Sequence, residues 1–283
     1  MNYRHAYHAG NFADVFKHAA LILLLEHLLK KDSAFQVIDT HAGGGFYDLD
    51  AVEAEKTAEF QGGIGRLPVE GPLPAGLAEL RDLVARCNPA WPSLRHYPGS
   101  PHIARVMLRP IDRLTLVELH PEEVKRLRQT FRGMQRVAIL EQDAYAALKA
   151  VLPPAERRGL VLIDPPFEVT DEFARMAAGL ATAVRRWPTG IYAIWYPLKD
   201  TEGVSRFLGE IAQLGKPALT AELRLPGPAE RLKGCGVAVL NPPWKLDQAL
   251  DAVVQTLKGL WDGEDVSGVR WLSGAPEPES TSR

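Results

Sequence analysis

From residue 114 to residue 214 the chain alternates without a break between short apolar runs and amphipathic helical stretches. The strand-like runs are 114–119, 137–140, 159–163 and 191–195; the helical stretches are 121–131, 144–152, 171–187 and 202–214. Such alternation demands a parallel sheet with right-handed crossovers and helices on its faces. A first strand at 35–39 precedes this series, after a helix over 13–31 that Asn11 is placed to cap. Two further strands, 218–225 and 237–240, are joined by a Pro/Gly-rich loop with no helix between them. They form a hairpin, so one arm runs against the rest, and periodicity does not say which. A last amphipathic helix covers 245–261, and a polar, Pro-rich tail follows from 275.

In a parallel sheet the strand carboxyl ends share one edge, where open α/β sheets bind ligands. The first strand runs into Asp39-Thr40-His41-Ala42-Gly43-Gly44-Gly45, whose glycines let the backbone approach a guest closely. The G-x-G-x-x-G dinucleotide spacing is absent. The next strands end near Glu118, Asp143 and Asp164. A carboxylate after the second strand is where a ribose diol is held by bidentate hydrogen bonds, and the next acid suits an adenine amino group. The run 159–163 delivers Asp164-Pro165-Pro166-Phe167 to the same edge. An acid, a carbonyl held by stiff prolines and a ring suit a flat heterocycle with an exocyclic amine. The same residues also suit a strand that ends in a solvated proline turn. Asn241-Pro242-Pro243-Trp244 repeats the pattern and competes for the role.

Two segments fall outside the alternation. Residues 1–10 gather Tyr3, Arg4, His5, Tyr7 and His8 ahead of the first helix, whose early turns carry Lys17 and His18. Rings and cations packed so closely suit stacking on bases and pairing with phosphates. Residues 47–97 replace the few-residue loop expected after a Gly turn with a Gly- and Pro-punctuated, mostly helical insertion. The fold resumes at Tyr97-Pro98-Gly99-Ser100-Pro101, with Ser100 as N-cap and Pro101 as first helical residue. The resulting division is 1–46 as the N-terminal motif and start of the core, 47–97 as the insertion, 98–272 as the rest of the core, and 273–283 as a disordered tail.

A formal net charge of −2 leaves any nucleic-acid contact to a local patch instead of bulk charge. Two distant cysteines, Cys87 and Cys235, indicate neither a disulfide framework nor a metal site, and no metal is expected. The most apolar stretch, 19–25, is too short to span a bilayer, so a cytoplasmic location without membrane contact is expected.

Several motifs together resemble the ribosomal RNA large subunit methyltransferase J family. They are His8-Ala9-Gly10-Asn11-x-Ala13-Asp14-Val15-x-Lys17-His18, Asp39-x-x-x-Gly43-x-Gly45, Tyr97-Pro98-Gly99-Ser100-Pro101, Asp164-Pro165-Pro166-Phe167 and Trp195-Tyr196-Pro197. The resemblance implies a Rossmann-like class I methyltransferase fold: a mostly parallel, seven-stranded sheet with its last strand reversed, plus a small helical insertion. The reversal carries Asn241 to the opposite edge, as a structural residue. It implies S-adenosylmethionine as cofactor, held by His18, His41, Gly43, Ser100, Glu118, Asp143, Ala144 and Asp164. It implies methylation of an adenine N6 amine in 23S ribosomal RNA by a monomer, with Asp164 catalytic and Tyr3, His5, Lys17, Pro165 and Phe167 facing the substrate. Ala144 and Phe167 stand where a glycine and a tyrosine are more usual in the family. A DNA adenine-N6 methyltransferase and a non-catalytic rRNA-binding assembly factor are the alternatives.

Overall fold

The computed structural model describes residues 5–227 and 232–275; Tyr3, Arg4 and the tail from 276 lie outside the described residues. Helix α1 (Phe12–Leu29) is capped as expected, the Asn11 side chain accepting from the Asp14 N–H at 3.0 Å. It is followed by β1 (Gln36–Asp39), β2 (Phe46–Asp48), α2 (Val52–Thr57), α3 (Glu59–Gly62), α4 (Ala75–Cys87), β3 (His96–Pro98) and α5 (Ser100–Met107). The alternating part is β4 (Arg113–Glu118), α6 (Pro121–Thr130), β5 (Val137–Glu141), α7 (Ala144–Val151), β6 (Gly159–Ile163), α8 (Glu172–Arg186), β7 (Ile191–Pro197) and α9 (Thr201–Ala212). It closes with β8 (Ala218–Arg224), β9 (Gly234–Leu240), α10 (Leu246–Leu260) and β10 (Gly268–Ser273).

One sheet runs in the order β10-β8-β9-β7-β6-β1-β4-β5. Strand β1 lies between β4 and β6 and is parallel to both. The chain therefore leaves β1 toward one side and returns to the other. That reversal opens a crevice at the carboxyl ends of β1 and β6. Strand β9 is antiparallel to both β7 and β8, so it is the reversed arm of the hairpin. Among the described residues the expected seven strands are corrected to eight: β10 adds antiparallel to the free edge of β8 and ends at Ser273. Its six residues, five half-buried and Arg270 exposed, show no clean alternation of buried and exposed positions, which hid it.

Strands β6 and β9 are buried along their whole length, as strands covered on both faces must be. Helix α1 is buried almost all round because α4, α5 and α10 pack on it. The insertion carries a feature the sequence hid. Its two ends pair as the antiparallel ribbon β2–β3, with Tyr47 opposite Tyr97, which returns the chain to β1's end at α5. The N-terminal segment docks on the insertion too: the Ile64 N–H donates to the Gly10 carbonyl at 2.8 Å, and the Thr57 hydroxyl donates to the Tyr7 carbonyl. Gly63 allows this approach, since a Cβ there would lie 2.1 Å from the Gly10 oxygen.

Candidate active site

A cleft of about 1180 Å³ opens at the carboxyl edge of the sheet, and all twelve described residues expected at the site line it. At its centre β6 hands over to Asp164. The Lys17 ammonium, carried by α1, donates to Asp164 Oδ2 at 2.5 Å and to Asp14 Oδ1 at 2.9 Å. Asp14 Oδ2 in turn accepts from the Gly10 N–H and bonds His5 Nε2, each at 2.9 Å. Lys17 and Asp14 are almost wholly buried, their side chains 6% and 3% exposed, whereas Asp164 reaches the cleft at 15%. Desolvation alone would neutralise such groups. Against it, His5, Lys17 and His18 hold the Asp14 carboxyl well below its usual range. Asp14 and Asp164 likewise hold the Lys17 ammonium well above its own range, despite the same desolvation. The result is an anion–cation–anion row ending in one carboxylate that faces the cleft.

Lys17 was expected near the substrate; the structure brings it against Asp164 itself. Asp14 reads from sequence only as a first-turn acid suited to the helix dipole, so its place in this row was missed. Next to Asp164, Phe167 takes a left-handed backbone (φ +49°), uncommon for an aromatic residue. Its ring is set edge-on to Phe173, 4.9 Å between centroids, and lies 5.9 Å from Trp195.

On the β1 side, the turn after Asp39 is built on left-handed glycines, Gly43 at φ +58° and Gly45 at φ +78°. A Cβ on Gly43 would meet the Tyr47 hydroxyl at 2.4 Å. Ser100 corrects an expectation. The N-cap of α5 is Gly99, and the Ser100 hydroxyl donates to Asp39 Oδ2 at 2.7 Å instead of capping the helix. A buried carboxylate across the turn is the stronger acceptor to satisfy. Burial pushes Asp39 up to about 6, with the Ser100 hydrogen bond opposing and Asp164 adding to the rise. His18 stacks on Tyr97 and bonds its hydroxyl at 2.8 Å. Burial lowers His18 to about 3 and His41 to about 4, so both are neutral at pH 7.

Farther along the edge, Glu118 is held by the backbone: Oε2 accepts from Gly43 N–H, and Oε1 from Leu119 and His120 N–H, each at 2.8 Å. An oxygen has room for two such bonds, so the open position for a ribose hydroxyl is on Oε2. Asp143 caps α7, Oδ1 accepting from Ala146 N–H at 2.9 Å. Ala144 begins that helix, and helix geometry leaves its N–H without an internal acceptor. Asn241, by contrast, sits at the opposite edge, donating to the Pro188 and Gly190 carbonyls at 3.1 and 2.7 Å. Among the described residues, no group of three or more His, Cys, Asp or Glu could hold a metal ion. Among the described residues, no helix is long and apolar enough to cross a membrane.

The family model described as "Ribosomal RNA large subunit methyltransferase D, RlmJ" matches residues 32–272. The chain belongs to this family. It is 41% identical over 260 residues to ribosomal RNA large subunit methyltransferase J of Escherichia coli (strain K12), covering 91% of this chain and 92% of that protein. It is 39% identical over 260 residues, with the same coverage, to the methyltransferase J of Haemophilus influenzae. The crystal structure of protein LPL1258 from Legionella pneumophila superposes with a TM-score of 0.82 at 33% identity, over 93% of this chain and 97% of that one. The family model begins at residue 32. His5, Asp14, Lys17 and His18 therefore lie ahead of the segment it matches.

The family's cofactor fits the residues present. The cleft exceeds the roughly 300–1,000 Å³ of a site for one small molecule. Along one edge it offers the Ser100 hydroxyl, an acceptor on Glu118, and the Asp143 carboxylate beside the Ala144 N–H. These suit, in order, an amino-acid end, a ribose and an adenine.

Proposed function

We propose that this S-adenosylmethionine-dependent ribosomal RNA methyltransferase modifies the N6 amine of an adenine in 23S rRNA, with Asp164 receiving that amine. The observation that carries the reading is the cleft-facing carboxylate of Asp164, tied through Lys17 to the buried Asp14. S-adenosylmethionine supplies an activated methyl on a sulfonium. The N6 lone pair is delocalised into its ring and must be directed at that methyl. Asp164 Oδ2 accepts from Lys17, and Oδ1 is placed to accept from the amine. The Pro165 carbonyl is the second acceptor, and Phe167 offers a face for the base to stack on. Lys17 holds the carboxylate in place, and Asp164 or solvent takes the amine proton as the new N–C bond forms. His18, His41, Gly43, Ser100, Glu118, Asp143 and Ala144 hold the cofactor; His5 and Lys17 serve the substrate, a role also assigned to Tyr3 from its sequence motif.

The base reaches this pocket only when unpaired or flipped out. Residues 47–97, roofing the cleft beside the N-terminal segment, act as a substrate-facing subdomain of a cytoplasmic monomer. The test is to incubate purified protein with methyl-labelled cofactor and either unmodified 23S rRNA or duplex DNA, then digest and identify the labelled nucleoside. N6-methyladenosine from the rRNA alone is expected. Label in the DNA, on a guanine, or nowhere would overturn the reading.

A further inference from the structure

Beyond the residues that touch the cleft's guests, one charged network on its rim is unexplained. Arg175, in the first turn of α8, donates to Asp143 Oδ2 at 3.1 Å and lies 3.6 Å from Glu172 Oε2. Glu172 is almost fully buried, 4% exposed, and its Oε1 accepts from the Tyr145 hydroxyl at 2.6 Å. The Arg175 guanidinium stands 5.3 Å from the Tyr145 ring. These contacts form a closed loop, from Asp143 at the start of α7 through Arg175 and Glu172 on α8 to Tyr145 on α7. Burial pushes the Tyr145 hydroxyl far above its usual range, and Glu172 adds to the rise, so it stays a donor.

We infer that Arg175 is a positioning residue for cofactor recognition: it aims the free side of Asp143 Oδ2 at the exocyclic amine of the cofactor's adenine. The inference rests on the reading of Asp143 as the adenine acceptor. Asp143 Oδ1 accepts the cap bond from the first turn of α7, while Oδ2 accepts from Arg175. That oxygen carries two lone pairs, one used by Arg175 and one left over. Without the guanidinium, the carboxylate is held by the cap bond alone and Oδ2 can swing about it toward solvent. With it, the remaining lone pair has a fixed direction beside the Ala144 N–H. This pairing of an acceptor with a donor matches adenine, which donates at N6 and accepts at N1. It opposes hypoxanthine, which accepts at O6 and donates at N1. Arg175 lies on α8, the helix that follows the Asp164 turn, so the helix after the target-base acid also sets the cofactor acid.

A structural role makes a different prediction. The Arg175 and Asp143 side chains are 40% and 39% exposed, and a pair so open to water adds little to stability. The experiment is calorimetric titration of the full chain with S-adenosylhomocysteine and with its hypoxanthine counterpart, S-inosylhomocysteine, for wild type, Arg175→Ala and Arg175→Lys. Melting temperature is measured alongside. The expected result for Arg175→Ala is a small fall in melting temperature, because buried Glu172 loses a cation but keeps the Tyr145 hydroxyl, with about tenfold weaker S-adenosylhomocysteine binding and a smaller preference over S-inosylhomocysteine. Arg175→Lys, which keeps the charge but loses the planar fork, recovers part of both. Wild-type affinity and preference in Arg175→Ala would overturn the inference while leaving the cofactor reading intact. A large drop in melting temperature that Arg175→Lys does not reverse would assign Arg175 to the fold and overturn it as well. A wild-type chain that binds neither ligand takes down both readings.

Discussion

Two turns in this molecule share a spelling and differ in everything else. Asp164-Pro165-Pro166-Phe167 follows β6 and Asn241-Pro242-Pro243-Trp244 follows β9, each with one non-glycine residue in the left-handed region: Phe167 at φ +49° and Asn241 at φ +51°. Strand β6 points its end at the cleft, where Asp164 meets Lys17. Strand β9 runs the other way, so Asn241 lands at the far edge and spends its amide on the Pro188 and Gly190 carbonyls. Trp244 is 65% exposed there, whereas Phe167 packs against Phe173 and Trp195. Strand direction, and not the motif, decides which turn faces a ligand.

The contrast is sharpened most by exchanging the polar residues. Asp164→Asn keeps the size but removes the charge that Lys17 pairs with. Methyl transfer should fall by about 10³-fold in single-turnover kinetics, within the usual range for losing a group that directs or takes a proton. Asn241→Ala should leave transfer unchanged. It should cost about 2 kcal/mol in urea unfolding, from two lost hydrogen bonds and a left-handed alanine. A transfer defect in Asn241→Ala would erase the distinction between the turns.

Lys17→Met tests the buried row behind Asp164. It leaves Asp14 buried with its cation gone, and stability should drop by about 3–5 kcal/mol in urea unfolding, with transfer impaired as well. A mild effect would mean that the row is not held as the geometry describes.

The smallest expected effect is on pH. His18, 1% exposed, is lowered to about 3, while an unfolded histidine titrates near 6.5. Between those values the unfolded chain binds a proton that the native chain does not, so stability falls as pH falls, by up to about 1.4 kcal/mol per unit. His41 acts in the same direction down to about 4. Asp39 opposes them: held up to about 6, it binds a proton in the native chain that the unfolded carboxyl lacks, and this stabilises below about 6 and is lost above it. The histidines should prevail, so the urea midpoint should decline from pH 7 to pH 5. His18→Gln should flatten that decline, and an unchanged slope would contradict the assigned burial.

The contrast between the two turns also marks how far the sequence could be read. Alternating apolar runs placed β4 to β9 within a few residues, because each run is buried by its own neighbours and carries its own period. The ribbon β2–β3 stayed hidden: three residues pair with three others across some fifty positions, and neither piece has a period to detect. β10 was hidden for the same reason. At the site, acids on strand ends were legible because topology alone puts them on one edge. The contact between Lys17 and Asp164, 147 residues apart, was not, since it depends on how α1 lies against the sheet. Asp14 and Arg175 look in sequence like ordinary charged helix residues, and only packing shows what they hold.

The central claim is that Asp164, held by Lys17, receives the amine that is methylated. The most direct test measures, in one preparation of Asp164→Ala, both S-adenosylhomocysteine binding and the single-turnover rate on unmodified 23S rRNA. The account predicts a folded protein that still binds the nucleoside ligand and transfers no methyl group. Transfer at the wild-type rate would contradict it.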